Sequence, residues 1–177
     1  MTDVMIDLET LGTRQTSVIT SIGACEFDLM SGVTGSTFHK MIEWEESMSY
    51  RTVDGSTIKW WMQQPSDARR EFTAEHETIT LNTALEELTA WMPNDATVWA
   101  NGSTFDIAML QNAYESEEGR NTPWKFYNVN DCRTIERLAQ GLVSRKDIPF
   151  EGVKHNALAD AIHQAKYISA MWQALKK

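Results

Sequence analysis

The sequence predicts an α/β domain: a mixed sheet that begins as an antiparallel meander and is covered by helices. Two observations lead there. The first forty or so residues hold short β-branched apolar runs separated by Gly-containing polar turns, and from about residue 54 the apolar spacing shifts to a helical period. Two more short apolar runs then interleave with the helical segments, as strands added to the same sheet would.

The elements follow in order. Val4-Met5-Ile6 is an apolar run that ends in acidic residues, and residues 17–27 form a second strand rich in β-branched side chains. Ser31-Gly32 and Gly35 supply a hairpin connection to a third strand over residues 36–44. Three sequential strands joined by short turns make an antiparallel meander. Asp54-Gly55-Ser56-Thr57 offers N-cap chemistry for a helix through Gln64, which Pro65 stops. A short helix runs from Pro65-Ser66-Asp67 to about Glu75. Asn82-Thr83 is expected to cap the next helix, residues 84–92, whose Leu85, Leu88, Trp91 and Met92 share an apolar face. Residues 97–101 read as a short buried strand, and Ser103 or Thr104 as the cap of a helix to about Tyr114. A loop over residues 116–124 leads to a brief strand at 126–129 and a helix from Asp131 to about Leu142. The last helix, residues 156–175, carries Leu158, Ala161, Ile162, Ala165, Ile168 and Trp172 on one stripe.

Composition sets the class. The chain has 177 residues, and at that size roughly 70% of the unfolded surface is buried on folding, so a self-sufficient core is expected. Apolar residues are 42% and charged residues 23%, which excludes a disordered chain, a collagen-like repeat and a coiled coil. No apolar run approaches the roughly 18 residues a membrane span needs. The N-terminus has no basic region and meets carboxylates within its first turns, unlike a signal peptide. A cytoplasmic protein of one domain over residues 1–177, with no added helicase or polymerase module, is expected. The two cysteines, Cys25 and Cys132, read as reduced thiols rather than a disulfide or zinc site. The net charge of −9 argues against a broad electrostatic grip on nucleic acid. Carboxylates gathered to hold divalent cations would give the same sign, because the cations are missing from the sum.

Three groups of residues carry the chemistry. Asp7 and Glu9 stand two apart where the first strand ends, so their side chains project from one face toward one point. Two such carboxylates repel unless a cation or proton lies between them. Alone the triplet is weak, because acidic-x-acidic recurs by chance in an acidic chain. Asp106 falls in the first helical turn after a strand and cap, a position that the helix macrodipole by itself also favours. His155 lies in the turn before the last helix and Asp160 about one turn inside it, so both can reach a common site. The other histidines, His39, His76 and His163, read as structural or exposed.

In that order, Asp7-Leu8-Glu9-Thr10, Asn101-Gly102-Ser103-Thr104-Phe105-Asp106 and His155-Asn156-Ala157-Leu158-Ala159-Asp160 resemble the DEDDh branch of the 3′→5′ exonuclease superfamily. All five motif positions match, and the resemblance spans essentially the whole chain. Ile58-Lys59-Trp60-Trp61 and Asp131-Cys132-Arg133-Thr134 are similar to the small bacterial and phage exonucleases related to exonuclease VIII. The resemblance implies an RNase H-like, RNase T-like fold, with strands after the first three running parallel. It implies two Mg²⁺ or Mn²⁺ ions held by Asp7, Glu9, Asp106 and Asp160, hard oxygen ligands suited to those metals. Asp7 would bridge the ions, Glu9 and Asp160 would complete the one at the nucleophilic water, and Asp106 would act largely through coordinated water. His155 would be the general base, its ordinary pKa near 6.5 fitting proton removal from water at neutral pH.

The implied substrate is a single-stranded RNA or DNA 3′ end, released as nucleoside monophosphates; no residue pattern decides the sugar. By the same resemblance Thr10 offers its backbone to the 3′-OH and Leu11 wedges against the last base. Phe105 is a candidate stacking partner, Trp61 or its neighbour Trp60 faces the groove, and Arg133 holds a phosphate. Arg14 and Lys154 lie near motif residues and could offset phosphate charge. A homodimer is implied by resemblance alone. Two other readings are a catalytically idle nucleic-acid-binding or interaction protein on this fold, and a hydrolase of short oligonucleotides.

Overall fold

The computed structural model describes residues 2–73 and 77–176; His76 and the expected helical extension to Glu75 lie outside them. The sheet forms from β1 (Asp3–Thr10), β2 (Ile19–Phe27), β3 (Thr34–Ile42), β4 (Thr78–Ile79), β5 (Thr97–Ala100) and β6 (Val129–Asp131), in the order β4-β3-β2-β1-β5-β6. The first three strands pair antiparallel, as the turn pattern requires, and β1–β5, β5–β6 and β3–β4 pair parallel. The helices are α1 (Trp44–Ser47), α2 (Gly55–Met62), α3 (Ser66–Thr73), α4 (Leu81–Trp91), α5 (Asp106–Glu118), α6 (Cys132–Leu138) and α7 (Ala157–Leu175).

Strand alternation divides the core between the two faces of the sheet. Val4, Ile6 and Leu8 point to the side covered by α4 and α5, where Leu85, Leu88, Met109 and Leu110 fill the space. Met5 points to the other side, into a cluster with Ala161, Ala165 and Ile168 of α7 and Cys132 and Ile135 of α6. The odd-numbered face of β1 therefore looks at α7. A smaller cluster of Leu11, Val18, Trp61 and Ala68 seats α2 and α3 against the end of β1. Both cysteines are buried and unpaired to each other. No helix among the described residues is long and apolar enough to cross a membrane.

Several local expectations are corrected. The α4 helix starts at Leu81 and takes its cap from Thr80, whose hydroxyl accepts from the Thr83 amide at 3.2 Å, so Asn82 and Thr83 lie inside it. The α5 helix starts at Asp106 with no side-chain cap. Ser103 is occupied elsewhere: its amide and hydroxyl both donate to Asp131, at 2.6 and 3.1 Å. The last strand is residues 129–131 rather than 126–129, and Phe126 and Tyr127 stand exposed before it. Asp131 ends that strand and caps α6 by accepting from the Arg133 amide at 2.9 Å, and α6 stops at Leu138. The α7 helix ends at Leu175 as expected but starts at Ala157, because Asn156 stands before it as the cap and accepts from the Ala159 amide at 3.0 Å.

One glycine decides how closely α7 approaches the sheet. A Cβ on Gly23, in the middle of β2, would sit 2.2 Å from the Ala157 carbonyl carbon and the Leu158 nitrogen. Backbone meets backbone there, so no side-chain rotation relieves the clash. Gly23→Ala is expected to push the N-terminal turn of α7 outward, costing roughly 1–3 kcal/mol. A urea melt and a turnover assay on the same preparation check this, with both stability and activity falling.

Candidate active site

The odd-numbered side chains of β1 deliver Asp7 and Glu9 to the face where the first turns of α7 lie. Pairing between β1 and β5 ends at Met5–Trp99, so the Leu8 amide has no strand partner on that side. The Asp106 carboxylate enters this gap and accepts from Leu8 N at 3.2 Å. Asp106 thus reaches the site by completing the edge of a strand, a role that capping patterns do not reveal.

From α7, Asp160 accepts from the His155 backbone amide at 2.7 Å. That bond closes the turn before the helix and holds His155 at φ 64°, in the left-handed region. A non-glycine residue there carries a cost of roughly 1–2 kcal/mol, and such strain concentrates at functional positions. The His155 ring is edge-on to Trp60 and Trp61, at centroid distances of 4.9 and 5.9 Å. Ligand atoms of Glu9, His155 and Asp160 all lie within 4.8 Å of one another.

The electrostatics agree with a site that collects negative charge. Burial pushes the Asp7 carboxyl well above the usual carboxylate range, helped by Asp106, Glu9 and Asp160 nearby. A hydrogen bond from Gln164 Nε2 to Asp7 Oδ1, at 2.8 Å, offsets only part of that. Burial raises Asp106 to about 7 against the pull of the Leu8 amide and Arg133. Asp160 is raised too, chiefly by burial. Asp7, Asp106 and Asp160, each raised chiefly by burial, form with neighbouring Glu9 a donor set that a pair of hard divalent cations would relieve.

These shifts predict a pH slope. A carboxyl raised in the folded state adds stability below its unfolded value of about 3.9, and loses it as pH climbs through the folded value. For Asp106 that window runs from about pH 4 to about pH 7. In EDTA, the wild-type protein is expected to melt several degrees lower at pH 8 than at pH 5, and Asp106→Asn to flatten part of that slope. Scanning calorimetry of both proteins checks it; identical slopes would contradict the assignment of strain to this cluster.

A pocket of 380 Å³ opens beside Glu9, walled by Leu8, Thr10, Trp60, Trp61 and Phe105. Phe105 also packs against the core of the α5 face. Trp61 is 5% exposed and Trp60 41%, so Trp60 presents the more open aromatic surface. Trp61 serves as an anchor: its indole N–H donates to the Thr10 carbonyl at 3.0 Å, fixing α2 to the end of β1. Thr10 is buried and its hydroxyl donates to the Gly12 carbonyl at 2.8 Å. Leu11 is not brought to this pocket. It packs behind Trp61, in a separate apolar groove with Trp44 and Ile58. Arg133 lies over Gly102, whose φ of +120° and missing side chain make room for the guanidinium, and its charge is felt at Asp106. Of the two nearby cations, Arg14 faces Asp54 at 3.9 Å and Lys154 lines a second pocket beside His155.

Gln164 and Gly23 were not singled out from sequence, though each leaves a signal. Gln164 is a polar residue on the buried stripe of α7, one turn after Asp160, and Gly23 is a glycine inside a β-branched strand. Sheet order, the carboxylates on the odd-numbered face of β1 and the histidine before the last helix are the arrangement expected of an RNase H-like 3′–5′ exonuclease. The chain belongs to the Rv2179c-like 3′-5′ exoribonuclease domain family, matched over residues 2–172, and is a metal-dependent 3′–5′ exonuclease. An exodeoxyribonuclease of Enterobacteria phage T4 is 25% identical over 165 residues, covering 78% of this chain and 72% of that protein. Among solved structures, S. pombe Pop2p in a Mg²⁺- and Mn²⁺-bound form matches 97% of this chain and 84% of its own, with a TM-score of 0.66 and 14% identity. The nuclease domain of 3′hExo, a DEDDh family member bound to rAMP, matches 97% and 92%, with a TM-score of 0.62 and 14% identity.

Proposed function

We propose that the chain removes nucleoside 5′-monophosphates from single-stranded 3′ ends of RNA or DNA, with Asp7, Glu9, Asp106, His155 and Asp160 as its catalytic residues. The observation that carries the reading is the contiguity of the carboxylate cluster with the aromatic-walled pocket. A terminal base held between Trp60 and Phe105 is enclosed by protein and cannot be paired, so the pocket favours an unpaired end. Stacking of this kind tolerates any base and contributes roughly 1–3 kcal/mol.

Asp7, Glu9, Asp106 and Asp160 would hold two Mg²⁺ or Mn²⁺ ions. When bound, such ions stabilise charge on the attacking and leaving oxygens of the phosphodiester. The protein's own groups do the rest. The His155 imidazole, set beside two indole rings and within reach of the Glu9 and Asp160 carboxylates, takes a proton from the attacking water. Gln164 keeps the Asp7 carboxylate in one orientation. The Thr10 backbone, tied through its carbonyl to Trp61, presents a rigid edge to the terminal sugar. Arg133 lies where a phosphate of the incoming strand can be met.

The test compares 3′-overhanging, blunt and fully single-stranded substrates of one sequence, in RNA and in DNA, with Mg²⁺ and with Mn²⁺. The reading predicts mononucleotide release from overhangs and single strands, with arrest at the duplex junction. Equal degradation through the duplex contradicts the single-strand assignment. The ratio of RNA to DNA rates gives the sugar preference directly.

A further inference from the structure

Glu9 is the last residue of β1 before its register with β2 breaks, and the residue paired with it across the ladder is Ser21. Directly opposed residues of an antiparallel pair share a face, with Cβ atoms about 4.5–5.5 Å apart. Ser21 therefore lies on the side of the sheet that carries Asp7 and Glu9. It is two residues from Gly23, where the first turn of α7 meets the strand.

Nothing in the metal-free fold accounts for a hydroxyl at this place. Ser21 is 0% exposed, and its Oγ makes no hydrogen bond. Gly23 and Cys25, the next residues on that face of β2, offer no acceptor of ordinary strength. Across the other ladder Ser21 is paired with Met41 of β3, whose thioether is a weak acceptor. Of its two cross-strand neighbours, Glu9 alone carries a strong one. Alanine or valine would fill this position in a buried strand and leave no polar group unmatched. A buried hydroxyl without a partner calls for a specific explanation.

The ladder is also irregular here. Thr20 is paired with no residue of β1, and Ile19 meets Thr10. An extra residue of this kind bends its strand and re-aims the side chains beside it, here next to the Ser21–Glu9 pair.

We propose that Ser21 is a positioning residue for Glu9. With one Glu9 oxygen turned to a bound cation, the Ser21 hydroxyl donates to the other and fixes the plane of the carboxylate. A carboxylate accepts several hydrogen bonds, so Glu9 takes this one alongside its other interactions. Such outer hydrogen bonds orient ligating carboxylates, and losing one lowers metal affinity or activity by roughly 10–100-fold. The inference rests on the exonuclease reading, in which Glu9 is a metal ligand.

The experiment compares Ser21→Ala with Thr20→Val, in the full chain. Thr20 is 1% exposed and its hydroxyl is likewise without a partner, but it is not opposed to Glu9. Calorimetry in EDTA gives stability, isothermal titration gives Mn²⁺ affinity, and a turnover assay on single-stranded substrate gives kcat and KM. In EDTA both variants are expected to melt at or above the wild-type temperature, because each loses a buried unmatched hydroxyl. With Mn²⁺ they part: Ser21→Ala loses affinity by at least about five-fold, and Thr20→Val by less than about two-fold. At saturating Mn²⁺, Ser21→Ala lowers kcat while KM for the strand stays near wild type, since the aromatic pocket is untouched. Wild-type Mn²⁺ affinity in Ser21→Ala, or equal losses in the two variants, overturns the positioning role and leaves the exonuclease standing. A Ser21→Ala protein that melts below wild type in EDTA overturns it too, because the hydroxyl then serves the metal-free fold. Wild-type protein that binds no Mn²⁺ and releases no nucleotide overturns the exonuclease reading, and the role of Ser21 with it.

Discussion

Asp7→Asn lowers turnover by at least as much as loss of the general base, roughly 10²–10⁴-fold, while raising the melting temperature of the metal-free protein. The two effects share a cause. Asp7 is buried at the centre of the cluster, where burial and three neighbouring carboxylates hold its pKa well up. Neutralising it removes that repulsion, and an Asn side chain still offers an oxygen to Gln164 Nε2 at the present 2.8 Å geometry. A recovery of about 1–2 kcal/mol would raise Tm by roughly 2–8 °C for a domain of this size. In the wild type, Mg²⁺ or Mn²⁺ relieves the same repulsion, so added metal should raise its Tm and leave the variant almost unmoved. Calorimetry in EDTA and at saturating Mn²⁺, with a turnover assay on the same samples, checks all three parts. A variant that is less stable than wild type in EDTA would show that Asp7 is held for packing rather than for cation binding.

His155→Ala is expected to lower kcat by roughly 10²–10⁴-fold with metal affinity nearly intact. His155 contributes its backbone amide to Asp160, a bond that alanine or glycine supplies equally. What the alanine loses is the imidazole between Glu9, Asp160 and the two tryptophans. His155→Gly sharpens the test, because the left-handed φ of 64° suits glycine. Relief of backbone strain is opposed by lost ring contacts with Trp60 and Trp61, so stability is expected to change by less than about 1 kcal/mol in either direction. The activity loss should match that of alanine. Isothermal titration with Mn²⁺ separates the roles: a large drop in metal affinity in both variants would make His155 a ligand rather than a base.

Much of the site was legible because local rules carry it. Strand alternation places Asp7 and Glu9 on one face, and the spacing from His155 to Asp160 places them across the first turn of α7. The meander could be read from β-branched runs and Gly-containing turns. What sequence could not give arises from contacts between distant segments. Asp131 draws Ser103 away from the helix-capping role its position suggests, so α5 begins later, at Asp106. Thr80 outcompetes Asn82 as a cap because the chain enters α4 extended from β4. Leu11 stands two residues after Glu9, but the chain turns after Thr10 and buries it behind Trp61. The second pocket joins residue 101 to the segments around 145–150 and 160–167, and no local pattern reports that meeting.

The central claim is metal-dependent removal of nucleotides from 3′ ends by the Asp7-centred cluster. A time course on 5′-labelled single-stranded RNA and DNA, with Mg²⁺, Mn²⁺ or EDTA, tests it most directly, with Asp7→Asn protein as the control for contaminating nuclease. The account predicts a ladder that shortens from the 3′ end and vanishes in EDTA and in the variant. Absence of metal-dependent shortening on either strand, or equal shortening by Asp7→Asn, would contradict it and leave the fold serving as a binding protein.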